Sequence, residues 1–313
     1  MIDNTTEGYV KEMVNKIKDT ITPMSKSDMK CAPGMVYEAG SCAELSVLIE
    51  LAKAYNKTNN TEQIKLAPNF ETLNPKKYKA YLVIELNKRI GDKCTTQKCW
   101  SKQDFVRHME EVAREKFMKH TFRPDSPQGK FEWLSTFDIN DSMAQYERKY
   151  KGFKFFGAVP MDFAKLRSLE IADVDYNSLS NKGITKLGVI FNLDNHDQPG
   201  SHWTAMYTDF NKGHIFYFDS VGTEPEPRVR ELMRKQARYM ETVGKDVNSI
   251  RTDYNKVRHQ RGGSECGVYS MNFLIRMVRG DDFDKLCARA ISDEKINKCR
   301  NVYFDKHIHK KKA

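Results

Sequence analysis

Ten residues, TFRPDSPQGK at 121–130, gather proline, glycine, serine and aspartate in one place and interrupt the periodicities on both sides. The two flanks differ in texture, which predicts an accessory domain over 1–125 and a second domain over 126–313. With 313 residues to share, each part can enclose a hydrophobic core without disulfide staples.

The first part is patterned as helix. Val10, Met13, Val14, Ile17 and Ile21 recur at helical spacing. Ser41 with Glu44 reads as a capping box before AELSVLIELAKAY, Asn74 with Pro75 opens a segment that closes near Gly91, and Ser101 with Asp104 opens QDFVRHMEEVAREKFMKH. An all-helical N-terminal domain follows. Beyond the boundary, LGVIFNLD (187–194) is a continuous apolar run suited to a buried strand. HWTAMYTDF (202–210) alternates, and HIFYFDS (214–220) follows the turn residues Asn211, Lys212 and Gly213, so the two form a hairpin. PEPRVRELMRKQARYMETVG reads as an amphipathic helix ending at Gly244, IRTDYNKVRHQ as a strand, and ECGVYSMNFLIRMVRG as an apolar helix stopped by Gly280. The second domain is therefore expected to be α+β, with a small central mixed sheet and a buried helix.

Composition narrows the function classes. A hydrophobic fraction of 39% and a charged fraction of 30% describe a folded, well-solvated chain. No run approaches the length of a membrane span, and MIDNTTEGYV lacks the zones of a secretory signal, so an intracellular or intravirion setting with no membrane partner is expected. Seven cysteines, an odd count, favour reduced thiols over a disulfide framework. Cys31, Cys42, Cys94 and Cys99 are spaced poorly for a zinc site, so helix-packed thiols and no metal or other cofactor are expected. The net charge of +10, with Lys306, Lys310, Lys311 and Lys312 in the tail, allows weak nucleic-acid contact.

The segment His259-Gln260-Arg261-Gly262-Gly263-Ser264-Glu265-Cys266-Gly267 carries the chemistry. A thiol at the start of a buried helix faces the positive end of the helix dipole, which favours the thiolate that attacks. Gly262 and Gly263 let a substrate chain approach the backbone. The Cys266 amide and the Gln260 side chain can donate to the oxyanion of a tetrahedral intermediate. A base is at hand in His202, which opens one hairpin strand, and Asp219 closes the other. Antiparallel pairing within a residue or two of register brings both to one end of the sheet.

The order His202-Trp203, Phe218-Asp219-Ser220, Gln260 and Cys266-Gly267 resembles the SUMO-protease and adenovirus-protease group of cysteine peptidases, as does Trp133-Leu134 with Ile139-Asn140 downstream. The resemblance spans about residues 130–305 and implies the papain-like fold of a ubiquitin-like protease, with His202, Asp219, Gln260 and Cys266 as catalytic residues. It also implies a narrow passage for a Gly-Gly tail between Trp133 and Trp203, with Gly263 beside it.

CAPGMVYEAGSC, Lys98-Cys99-Trp100 and the ending FDKLCARAISDEKINKCRNVYF are similar to polyprotein-processing proteases of large cytoplasmic DNA viruses such as African swine fever virus. The implied function is cleavage after glycine in viral structural polyproteins during virion maturation, in the virion and the host cytoplasm. Removal of SUMO or another ubiquitin-like modifier is the nearest alternative. A protein acyltransferase and a non-catalytic binding module are alternatives of other classes.

Overall fold

The computed structural model describes residues 4–17, 23, 25–127 and 132–305. Ile21 and the basic tail from Lys306 lie outside the described residues. The chain divides into two compact units, Met1–Pro124 and Asp125–Ala313.

Four longer helices, Asn4–Lys16, Leu45–Thr58, Pro75–Ile90 and Glu111–His120, build the first unit around Tyr78, Tyr81, Trp100 and Phe117. Asn74 caps its helix as expected, its Oδ1 accepting from the amides of Lys76 and Lys77 behind Pro75. Two expectations need correction. Ser41 caps no helix. Its hydroxyl accepts from the Ala43 amide, and the helix begins only after Glu44, whose side chain makes no capping bond. The run from Ser101 to His120 is not one helix either, because the Glu110 carboxylate takes the amides of Val112 and Ala113 and starts a new helix there.

The cysteine expectation is also corrected. Cys31 pairs with Cys42 and Cys94 with Cys99, their Cα atoms 5.3 and 5.5 Å apart. Tight local turns cause this. Gly34, Ala39 and Gly40 adopt positive φ between the first pair, and Thr96, between the second, caps the four-residue helix Gln97–Trp100 that carries Cys99. None of these four sulfurs is left as a thiolate for a metal.

The second unit is a five-stranded mixed sheet in the order β1 (Phe153–Val159), β2 (Lys186–Asn192), β3 (Trp203–Asp209), β4 (His214–Phe218) and β5 (Arg251–Tyr254). The β2–β3–β4 pairs are antiparallel, and the edge strands β1 and β5 run parallel to their neighbours. One face packs on the helix Cys266–Arg279 through Ala205, Tyr207, Phe216 and Phe218. The other face packs on Pro227–Thr242 through Met206, Ile215 and Tyr217. Both faces of β3 are thus covered, so it is buried along its whole length despite its alternating sequence. Ser135 and Asp138 form a reciprocal capping box that starts Thr136–Lys149, and Gly280, at φ 99°, closes the Cys266 helix.

Candidate active site

Three chain segments meet where β3 begins and β4 ends. The first is the β2–β3 loop that delivers His202. Asn192 Oδ1 accepts the Ser201 amide, while Asp194 accepts the Gly200 amide and the Ser201 hydroxyl, which fixes the residues just before His202. Gly200 is required there. It sits at φ 95°, and an added Cβ would lie 2.7 Å from Asn192 Nδ2.

The second segment follows β4. Asn255 brackets Asp219, its Oδ1 accepting the Asp219 amide and its Nδ2 donating to the Asp219 carbonyl. The fully buried carboxylate accepts from the Val221 amide and lies 2.6 Å from His202 Nε2. The other ring nitrogen of His202 is left for Cys266, which joins Asp219 in favouring the protonated imidazole. Burial drives the imidazolium down, but the Asp219 carboxylate and the Cys266 sulfur outweigh it and raise His202 to about 9.

The third segment is the loop before Cys266. Ser220, next to Asp219, accepts the amides of His259 and Gln260 on its carbonyl and donates its hydroxyl to Gln260 Oε1 at 2.6 Å. That contact fixes which way the Gln260 amide faces, and Gln260 Nε2 donates one hydrogen to the Gly262 carbonyl at 2.9 Å. A second hydrogen stays on the nitrogen. Cys266 opens its helix, and its amide has no acceptor among the described residues. Ser270, one turn on, donates to the Trp203 carbonyl and ties the helix to β3.

The two tryptophans have different surroundings. Trp203 is buried and donates its indole N–H to the Leu134 carbonyl, whereas Trp133 is 44% exposed. Gly263 borders open space, since an added Cβ would meet nothing within 4 Å. Two other histidines near the site, His196 and His259, have partners of their own. His196 pairs with Asp162, and His259 accepts the Ile291 amide on Nδ1, which places its proton on Nε2. Ser220 and Asn255 were not recognisable as positioning residues from sequence, because their partners lie 36–40 positions away along the chain.

A buried thiol against an imidazole, itself held by a carboxylate, is the arrangement of a base-activated sulfur nucleophile. Known proteins agree with that chemistry. Residues 174–312 match the Ulp1 protease family, C-terminal catalytic domain. A thiol protease of Acanthamoeba polyphaga mimivirus is 38% identical over 273 residues, covering 85% of this chain and 90% of the relative. A cysteine protease of African swine fever virus is 24% identical over 203 residues, covering 60% of this chain and 74% of its own. A crystal structure of the African swine fever virus protease superposes with a TM-score of 0.61 at 18% identity, over 94% of this chain and all of that one. The chain belongs to the Ulp1 protease family. It is a cysteine protease of viral origin whose Ulp1-like catalytic fold follows a helical N-terminal region in the chain.

Proposed function

We propose that Cys266 is the nucleophile, His202 its general base and acid, Asp219 the group that orients the histidine, and Gln260 with the Cys266 amide the oxyanion donors. The observation carrying this is the His202 imidazole held 2.6 Å from the buried Asp219 carboxylate and raised by a Cys266 that opens its helix. In acylation the sulfur, having passed its proton to His202, adds to the scissile carbonyl, the oxyanion accepts hydrogen bonds from the free Gln260 N–H and the Cys266 amide, and His202 gives that proton to the leaving amine as the C–N bond breaks. Water then gives a proton to His202, attacks the thioester and releases the acid, restoring the thiol.

The substrate reading is cleavage after glycine in viral structural polyproteins during virion maturation. Open space at Gly263 and the exposed ring of Trp133 beside the buried Trp203 support a slender tail with no side chain at its end. A second reading is release of a ubiquitin-like modifier, since some African swine fever virus relatives, 23% identical, are called SUMO-1 cysteine proteases. Labelling with a Gly-Gly vinyl sulfone tests the site. Modification should be confined to Cys266 and abolished in His202→Ala, and equal labelling of Cys287 and Cys299 would refute the assignment. Turnover of a short Gly-Gly-X peptide beside a SUMO-derived conjugate separates the substrates, because a modifier-specific enzyme requires the folded modifier.

A further inference from the structure

The loop that carries Gln260 is gripped from outside the catalytic constellation by the C-terminal segment 291–300. Asp293 Oδ2 accepts the amides of Arg261 at 3.0 Å and Gly262 at 2.7 Å, while its Oδ1 accepts the hydroxyl of Tyr269. That single hydroxyl hydrogen is shared with the Ile291 carbonyl at 2.6 Å. Further along, Arg300 donates to the Ser264 carbonyl, and Asn297 donates to Glu265 while accepting from Arg300.

We infer that Asp293 is a positioning residue for the oxyanion site, acting through Gly262 on the Gln260 amide. This rests on the assignment of Gln260 made above. Gly262 is the link, because its N–H is held by Asp293 and its carbonyl receives one hydrogen of Gln260 Nε2. With Ser220 fixing Oε1 from the other side, the amide plane is held at both ends and its second N–H has one direction left. Asp293 also occupies two backbone amides that would otherwise be loose donors beside the oxyanion. A side chain at 262 would crowd the link, as its Cβ would stand 2.7 Å from Glu265 Oε2, which would have to shift, and 3.4 Å from Asp293 Oδ2.

The role separates oxyanion stabilisation from thiol reactivity. Alkylation of Cys266 by iodoacetamide forms no oxyanion, whereas peptide hydrolysis does. In the full chain, Asp293→Ala should lower kcat on a Gly-Gly-X peptide by about 10- to 100-fold with KM within about threefold. The rate and pH profile of Cys266 alkylation, read by peptide mapping, should stay as in wild type. In a Gln260→Ala background the same substitution should cost less than about threefold more. Asp293→Asn, which keeps an oxygen for the two amides, should recover most of the loss, and Asp293→Leu, which fills the space without an acceptor, takes the alanine's place in the cycle if that variant does not fold. An unchanged kcat, parallel losses in hydrolysis and alkylation, or a full extra loss without Gln260 would each overturn the inference. Peptide turnover surviving in Cys266→Ala would instead overturn the reading of the site itself.

Discussion

His202 and Asp219 flank the paired positions of β3 and β4 without being part of them, yet their side chains meet at 2.6 Å. The ladder pairs Ala205 with Phe218, so its continuation sets Asp219 across from Thr204 and His202 on the diagonal, a separation that long side chains bridge. The carboxylate therefore reaches the imidazole from the side, with Asn255 holding its backbone.

That contact sets a pH dependence. His202 in the folded protein is raised to about 9, above the ordinary 6.5. The stability its contacts contribute is therefore fully present below pH 6.5 and is lost as pH rises through about 9. The protonated imidazole also gives the proton to the leaving amine, so kcat/KM should fall on the alkaline side near pH 9. Asp219→Asn removes the charge that holds the proton and should move that limb to lower pH. A pH–rate profile checks it, and an unmoved limb would assign the titration to another group.

The two tryptophans should part company when mutated. Trp203→Phe leaves the Leu134 carbonyl without its donor in a buried place, a loss of about 1–3 kcal/mol seen in chemical denaturation. Trp133→Ala removes a half-exposed ring and should change stability by no more than about 0.5 kcal/mol while raising KM. Equal effects on stability would contradict the different environments.

Gly267 stands at the contact between the nucleophile helix and β3. A Cβ there would lie 3.1 Å from Leu134 Cβ and 3.3 Å from Trp203 Cδ1. Gly267→Ala should cost about 1–3 kcal/mol and lower kcat, because any shift that relieves the crowding moves Cys266 against His202. Gly263→Ala meets no crowding and should leave stability alone, so a rise in KM would report substrate passing over that position. Denaturation and steady-state kinetics on both variants give the comparison.

Reductant should act on the N-terminal unit. The two disulfides close loops of 11 and 5 residues, and the chain-entropy argument gives about 2–3 kcal/mol for each. Melting with and without reductant, beside a Cys31→Ser, Cys42→Ser protein, should show the lower transition in both, and identical melts would deny the bonds a stabilising role.

The hairpin, the nucleophile helix and the Asn74 cap were legible because each is written in neighbouring residues. The pairing of His202 with Asp219 followed from hairpin register alone. β1 was not foreseen, since Gly157 at φ 95° bends FKFFGAV into a bulge that spoils its alternation. The roles of Ser220, Asn255 and Asp293 were hidden for another reason. They are polar residues in irregular segments, and what they hold lies about thirty to forty positions away, a distance at which no local pattern points.

Both borders of the sheet are guarded against further strands. On β1 the Phe155 amide is taken by Glu147 and the Ala158 amide by Asn140, from the helix lying alongside. β5 is four residues long and carries Arg251, which is tied to Asp253 and Asp284. A sheet finished this way is a poor template for a neighbouring molecule's backbone, which works against edge-to-edge association between copies.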